Sequence, residues 1–256
     1  MSPPRPGMSL AVAIPAYNEA DGIAAFLAEL DAVLVDEVAE HTFVVADDAS
    51  TDTTVVTLEA TRPSLVGELE ILAQEENHGH GPSVVVAYRR TIELGTDLVL
   101  QVDGDGQFDA TDVSLLLDAI DQGRDVATGR RVARVDPLIR RMVTAALNTL
   151  MRVGFGVVRS DTNCPLRLYR SAVLDDLLSQ LPPAPMVPHV LLTVLETDAH
   201  LDHVEVAVTH RDRRGSTSTG STWQGRFGAL SMPWRLARFC GGALMEVVRF
   251  RRARRT

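Results

Sequence analysis

Apolar and polar positions alternate in two rhythms along the first hundred residues. Ser9–Pro15 (SLAVAIP) is a continuous apolar run closed by proline, the pattern of a strand buried on both faces. Ala20–Val38 carries Ile23, Phe26, Leu27, Leu30, Val33 and Leu34 at three- and four-residue spacing, which predicts a helix. Thr42–Ala46 reads as a second strand, and Thr53–Ala60 as a helix with Ser50 or Asp52 as its N-cap. Leu69–Ala73 is a third strand, Gly79–Gly81 a loop, and Pro82–Leu94 a helix with proline in its first turn. Asp97–Val102 is a fourth strand that runs straight into Asp103-Gly104-Asp105-Gly106-Gln107. Strands alternating with helices at this spacing predict a doubly wound, mostly parallel sheet flanked by helices.

The second half has a weaker rhythm. Val113–Ile120 reads as a helix, Asp125–Thr128 as a short strand, Pro137–Gly154 as a long apolar helix and Val204–Thr209 as an alternating strand. The expected organisation is a flexible N-terminus over 1–8, one compact domain over 9–218 and an Arg-rich amphipathic helical segment over 219–256.

Composition narrows the class. The 256 residues are 45% hydrophobic and 23% charged, which excludes wholesale disorder and collagen, and no run approaches a membrane span. The start lacks a signal-peptide pattern, and two cysteines, Cys164 and Cys240, make no disulfide framework, so a cytoplasmic protein is expected. The net charge of −9 argues against a nucleic-acid binder. That charge is unevenly placed. Residues 226–256 hold eight Arg and one acid (+7), while the remaining 225 residues hold 17 Arg and 33 acids (−16). A basic tail that also bears Trp223, Phe227 and Trp234 suits an anionic membrane surface; the plainer reading is a C-terminal helix packed on the body.

In doubly wound sheets ligands bind beyond the carboxyl ends of the strands. Three of the first four strands end in Pro-Ala-Tyr-Asn-Glu, Asp-Asp-Ala-Ser and Asp-Gly-Asp-Gly-Gln, so polar chemistry collects along one edge. Asp103 and Asp105, with glycine between them and Gln107 beyond, offer hard oxygen ligands to Mg²⁺ or Mn²⁺; the plain alternative is an Asp-rich turn. Asp47-Asp48 can accept a base N–H or ribose hydroxyls, Tyr17 can stack on a base and Glu19 can accept a ribose hydroxyl, against capped or helix-entry turns. His78-Gly79-His80-Gly81 lacks the partners of a zinc site and reads as a phosphate-facing or substrate-facing loop. Arg130-Arg131, Arg167, Arg170 and the His210–Ser218 loop supply guanidinium forks for an anionic ligand, or surface salt bridges. No dinucleotide fingerprint, P-loop or nucleophile elbow is present.

The ordered set Ile14–Glu19, Val45–Asp52, Asn77–Gly81, Asp103–Gln107 and Gly129-Arg130 resembles family 2 glycosyltransferases of the GT-A fold, most of all the dolichol- or polyprenyl-phosphate sugar synthase branch, over roughly residues 9–218. The resemblance implies a nucleoside pocket lined by Pro15, Tyr17 and Glu19, with Asp48 on the base and Asp103 by the ribose and metal. It implies Asp105 and Gln107 as ligands of Mg²⁺ or Mn²⁺ under the diphosphate, and Arg130 facing a phosphate. Arg213 or Arg214, with Ser216 and Ser218, is similar to the family's basic loop that closes on phosphate. Three positions depart from the family pattern: Ala49 stands for glycine, His80 for lysine, and Asp161–Arg167 (DTNCPLR) for Asp-x-x-Ser-Gly-Phe-Arg.

The expected activity is metal-dependent, inverting transfer of a sugar from a nucleoside-diphosphate sugar, with a polyprenyl phosphate at the inner face of the membrane as acceptor. A lipid phosphate is already anionic, whereas a hydroxyl acceptor needs a base, for which Asp161, Glu196 and Asp198 are candidates and His189 a further option. The alternatives are a soluble hydroxyl acceptor, a nucleotidyltransferase, and a non-catalytic nucleotide- or membrane-binding module.

Overall fold

The structure is a computed structural model that describes residues 5–132, 149, 151–211 and 234–254. In order come β1 (Arg5–Ala16), α1 (Ile23–Glu37), β2 (Val38–Asp47), α2 (Thr54–Thr61), β3 (Glu68–Ala73), α3 (His80–Glu93), β4 (Leu98–Gln101), α4 (Asp112–Asp121), β5 (Val126–Val132), β6 (Arg167–Arg170), α5 (Ser171–Ser179), α6 (Pro188–Asp198), β7 (His203–Thr209) and α7 (Trp234–Ala253). The strands form one seven-stranded sheet in the order β3-β2-β1-β4-β6-β5-β7. β3, β2, β1 and β4 run parallel, and β6 is antiparallel to both β4 and β5.

The alternation of side chains along each strand explains the two-sided architecture. Leu10, Val12 and Ile14 of β1 face Phe26, Leu27 and Leu30 of α1 and Leu116 and Leu117 of α4 in one core cluster. Ala13 of β1 and Val99 of β4 face the other way, toward Val84 and Tyr88 of α3 and Leu191 and Leu195 of α6. Strands covered on both faces read as apolar runs, which is why β1, β2 and β4 were legible; β3 lies at the edge of the sheet and is half-exposed.

The expected sheet is present, with some differences. β1 begins at Arg5 and pairs there with Val38, so residues 5–8 join the sheet. α1 stops at Glu37 and β2 starts at Val38, earlier than the Thr42 expected from hydropathy. β6 was not anticipated: its four residues carry arginine at both ends. Of the long helix expected over 137–154, residues 133–148 and 150 lie outside the described residues, and 151–155 are helical.

The C-terminal helix α7 lies on the body. Val247 is buried, Ala243 and Phe250 pack beside it, and Arg251 pairs with Asp198 of α6. Arg238, Leu244, Met245, Arg249 and Arg252 are exposed. Among the described residues no helix is long and apolar enough to cross a membrane.

Candidate functional site at the carboxyl edge of the sheet

The carboxyl ends of β1, β2 and β4 lie side by side, and the parallel register sets their offsets. Pro15 pairs with Ala46 and Ala16 with Asp47 across β1 and β2, while Ala13 pairs with Gln101 across β1 and β4. The polar segments after each strand therefore emerge along one rim.

Pro15 is buried at the end of β1, and its carbonyl accepts the Gly104 N–H at 3.3 Å, which lays the acidic loop against β1. Tyr17 is half-buried. Asn18 holds a left-handed φ of 54°, and its Oδ1 accepts the N–H groups of Thr51 (2.8 Å) and Asp52 (3.3 Å). Glu19 is buried, and its N–H donates to Thr54 Oγ1 at 2.9 Å. These bonds tie the loop after β1 to the loop after β2. The N-cap of α2 is Thr53, without a side-chain cap bond, so neither Ser50 nor Asp52 takes the expected position; Asp52, one residue earlier, accepts the Thr54 N–H at 2.9 Å. Asp47 accepts the Ser50 N–H at 3.0 Å.

Asp48 is 3% exposed and faces the loop before α3. Its Oδ1 and Oδ2 accept the N–H groups of His78 and Gly79, each at 2.8 Å, and Asn77 Nδ2 donates to its carbonyl at 3.0 Å. His80 and Gly81, expected in a loop, are the first residues of α3, and the start of that helix reaches the site: His80 Nε2 stands 3.8 Å from Asp103 Oδ1. The His-Gly-His-Gly pattern marked this stretch as facing phosphate or substrate, but not its contact with either acid.

The acidic loop is held from three directions. Gln101, fully buried in β4, donates from Nε2 to Asp103 Oδ1 at 3.1 Å. Asp105 Oδ1 accepts the Gln107 N–H at 3.1 Å. Beyond β7, the Arg211 N–H donates to the Gln107 carbonyl at 2.7 Å, and Arg211 pairs with Asp109 and Glu29. The chain thus enters the basic segment 212–218 from beside the acidic loop. Arg213, Arg214, Ser216 and Ser218 lie outside the described residues.

Two carboxylates on one short loop, with a neutral amide oxygen two residues on, fit a hard divalent cation whose other positions are filled by phosphate and water. Gln107 Nε2 donates to the Arg211 carbonyl at 3.4 Å, which orients the amide from the β7 side. Among the described residues no group of three or more His, Cys, Asp or Glu side chains could by itself hold a metal ion.

Arg130 is exposed on β5. Its neighbour Arg131 makes a two-pronged fork with Asp161, Nε to Oδ2 at 2.7 Å and Nη2 to Oδ1 at 3.0 Å. Glu196 has a fully buried side chain; its Oε1 accepts from Arg167 Nη1 (3.1 Å) and the Tyr169 hydroxyl (2.7 Å). Asp198 pairs with Arg251 of α7 and with Arg254, one residue past its end. All three carboxylates considered as bases are therefore ion-paired. His189 is 2% exposed; burial, then the nearby Arg167 and His80, pull its imidazole well below the usual histidine range. It is neutral at physiological pH, and its ring lies edge-on to His80 at 6.2 Å. Burial likewise pushes the Cys164 thiol up to about 12, so it is inert there.

Comparison with known proteins agrees with this geometry. The family model described as glycosyl transferase family 2 matches residues 11–178, which span β1 to α5. Among solved structures, glucosyl-3-phosphoglycerate synthase from Mycobacterium tuberculosis, in complex with Mn²⁺, uridine diphosphate and phosphoglyceric acid, superposes with a TM-score of 0.66 at 17% identity, over 95% of this chain and 78% of that one. The same enzyme with Mn²⁺ and uridine-diphosphate-glucose gives 0.59 at 19% identity, over 83% and 73%. These likenesses show the GT-A fold. Among curated sequences, undecaprenyl-phosphate 4-deoxy-4-formamido-L-arabinose transferase from Edwardsiella ictaluri is 26% identical over 82% of this chain, and its Pseudomonas fluorescens counterpart 24% over 84%. The chain spans about three-fifths of the length of these relatives, 62% and 61%.

Proposed function

The chain belongs to glycosyl transferase family 2, and on that premise we propose that it transfers a sugar, with inversion, from a nucleoside-diphosphate sugar to a polyprenyl phosphate at a membrane surface. The observation that carries this reading is the placement of Asp103, Asp105 and Gln107 on one loop beside the ends of β1 and β2. Pro15, Tyr17, Glu19 and Asp48 flank that loop and are assigned to the nucleoside. Asp103, Asp105 and Gln107 hold Mg²⁺ or Mn²⁺, as the Mn²⁺ and uridine-diphosphate-glucose bound by the structural neighbour support. A cation bound there supplies positive charge against the departing diphosphate. Arg130, and Arg213 or Arg214 with Ser216 from the segment that follows Arg211, bind and orient phosphate oxygens.

A phosphate acceptor accounts for the state of the three candidate bases. Asp161, Glu196 and Asp198 each face an arginine, so none is poised to take a proton, and a phosphate oxygen that is already anionic needs none taken. The names of the curated relatives support the same acceptor. The exposed Arg238, Arg249 and Arg252 beside Leu244 and Met245 give α7 an outer face suited to anionic lipid, worth about 1 kcal/mol per arginine near the surface.

The test is a panel of nucleotide sugars scored by thermal shift with and without Mn²⁺, followed by transfer to a short-chain polyprenyl phosphate. Asp105→Ala abolishes both donor hydrolysis and transfer while melting like the wild type; unchanged turnover refutes the reading. Release of pyrophosphate in place of a nucleoside diphosphate identifies a nucleotidyltransferase. Truncation near residue 225 separates the tail: lost liposome binding with retained donor hydrolysis assigns it to the membrane.

A further inference from the structure

The 77–81 segment is held on one side by a carboxylate and on the other by a turn that a second carboxylate, from the far end of the chain, fixes. On one side stands Asp48, which accepts the His78 and Gly79 N–H groups. On the other, Gly81 approaches the turn before α6 so closely that a Cβ there would lie 2.1 Å from the Pro185 carbonyl oxygen and 2.7 Å from that of Met186. Only glycine permits backbone to meet backbone at this distance. The turn is itself fixed by Glu246 of α7. Glu246 Oε1 accepts the Met186 N–H at 2.9 Å, and Oε2 accepts the Val187 N–H at 3.1 Å. Those N–H groups immediately precede Pro188, the first residue of α6, where an anionic acceptor is favoured. The Met186 side chain rests at Gly242, one helical turn before Glu246.

A continuous line of contacts therefore runs from Glu246, through the 185–187 turn and Gly81, to His80 and the Asp103 carboxylate at 3.8 Å. The Gly81 contact is backbone on backbone, so no flexible side chain absorbs a shift of the turn, and close-packed interiors transmit such strain.

We propose that Glu246 is a positioning residue of the donor site: by fixing the 185–187 turn it holds the 77–81 loop against Asp48 and presents His80 to Asp103. It touches no substrate and acts through other residues. This makes the tail helix a brace on the nucleotide-binding edge as well as a cover for the core. The consequence for donor binding rests on the function proposed above; the mechanical link does not.

The experiment is amide hydrogen exchange on the full chain without ligand, for wild type, Glu246→Ala and Glu246→Gln. In Glu246→Ala, exchange rises by about tenfold at Met186 and Val187 and also over 78–83, while β1 and β2 keep wild-type protection. Glu246→Gln, which keeps one carbonyl acceptor, gives a smaller rise at the same two places, and carries the test where the alanine variant does not fold. Faster exchange at 186–187 with 78–83 unchanged overturns the proposal, as does a uniform rise across the sheet, which marks a purely structural role. A second readout is calorimetric titration with UDP in the presence of Mn²⁺. Glu246→Ala weakens binding by about fivefold to tenfold and Glu246→Gln restores most of it. Coupled exchange with unchanged UDP affinity overturns the donor-site role. A wild type that does not bind UDP with Mn²⁺ counts against the choice of donor and leaves the exchange result to decide the link.

Discussion

The two halves of the sheet treat charge in opposite ways. In β1, β2 and β4 the buried stretches are apolar and acids stand at or just past the strand ends, where Asp103 and Asp105 are partly exposed and Glu19, Asp47 and Asp48 are buried. In the second half, β6 carries Arg167 into the core at 1% exposure, where it meets Glu196, Tyr169, Thr193 and the carbonyls of Thr162 and Cys164. The first arrangement leaves charge available for binding. The second consumes it in shape: Arg167 fastens the loop that carries Asp161, and Asp161 in turn forks Arg131 beside the site. One half of the molecule supplies chemistry, and the other fixes where that chemistry sits.

The contrast predicts where substitutions act. The largest stability effect belongs to Glu196→Ala, which strands a buried guanidinium and costs about 3–5 kcal/mol, read as a lower urea midpoint at unchanged slope. A loss under 1 kcal/mol breaks the comparison. Asp161→Asn removes one charge from a less buried fork and costs about 1.5–3 kcal/mol by the same measurement. At the rim the sign reverses. Ala49 holds a left-handed φ of 57°, so Ala49→Gly relieves strain. Part of that gain is offset by the greater freedom of glycine when unfolded, leaving about 0.5–1 kcal/mol of added stability in a melt. The smallest effect is a difference in pH dependence and comes from Asp31, a buried residue of α1. Burial raises its carboxyl, but the Val66 and Gly67 N–H groups and His41 more than offset this and hold it below the ordinary 3.8. A depressed carboxyl stabilises above its unfolded pKa, and the contribution is lost as pH falls through the folded one. Wild-type stability therefore drops more steeply below about pH 4 than that of Asp31→Asn, as acid titration of the urea midpoint shows.

Sequence was most informative where the physics is local. A strand buried on both faces must be apolar, so the abrupt arrival of Pro15–Glu19, Asp47–Asp52 and Asp103–Gln107 marked both the strand ends and the rim. What stayed hidden depends on distant partners. β6 has four residues with arginine at each end, and its burial follows only once Glu196, 29 positions on, is brought to Arg167. Gln101 sits in an apolar strand, and its hold on Asp103 has no signature in hydropathy. His80 was visible as a departure from the family pattern, but its approach to Asp103 required the α3 start to fold back over the rim. The three carboxylates picked as bases were sound as residue types; the arginines that occupy them could not be read from spacing.

The proposed function turns on binding of the donor diphosphate at the 103–107 loop through a divalent cation. It is tested most directly by calorimetric titration of the best nucleotide sugar from the panel, with and without Mn²⁺, into wild type and Asp105→Ala. Mn²⁺ tightens wild-type binding by at least about tenfold and leaves the variant unchanged, since loss of even an outer-shell support costs about 10–100-fold in metal affinity. An Asp105→Ala protein that keeps the full Mn²⁺-dependent gain contradicts it.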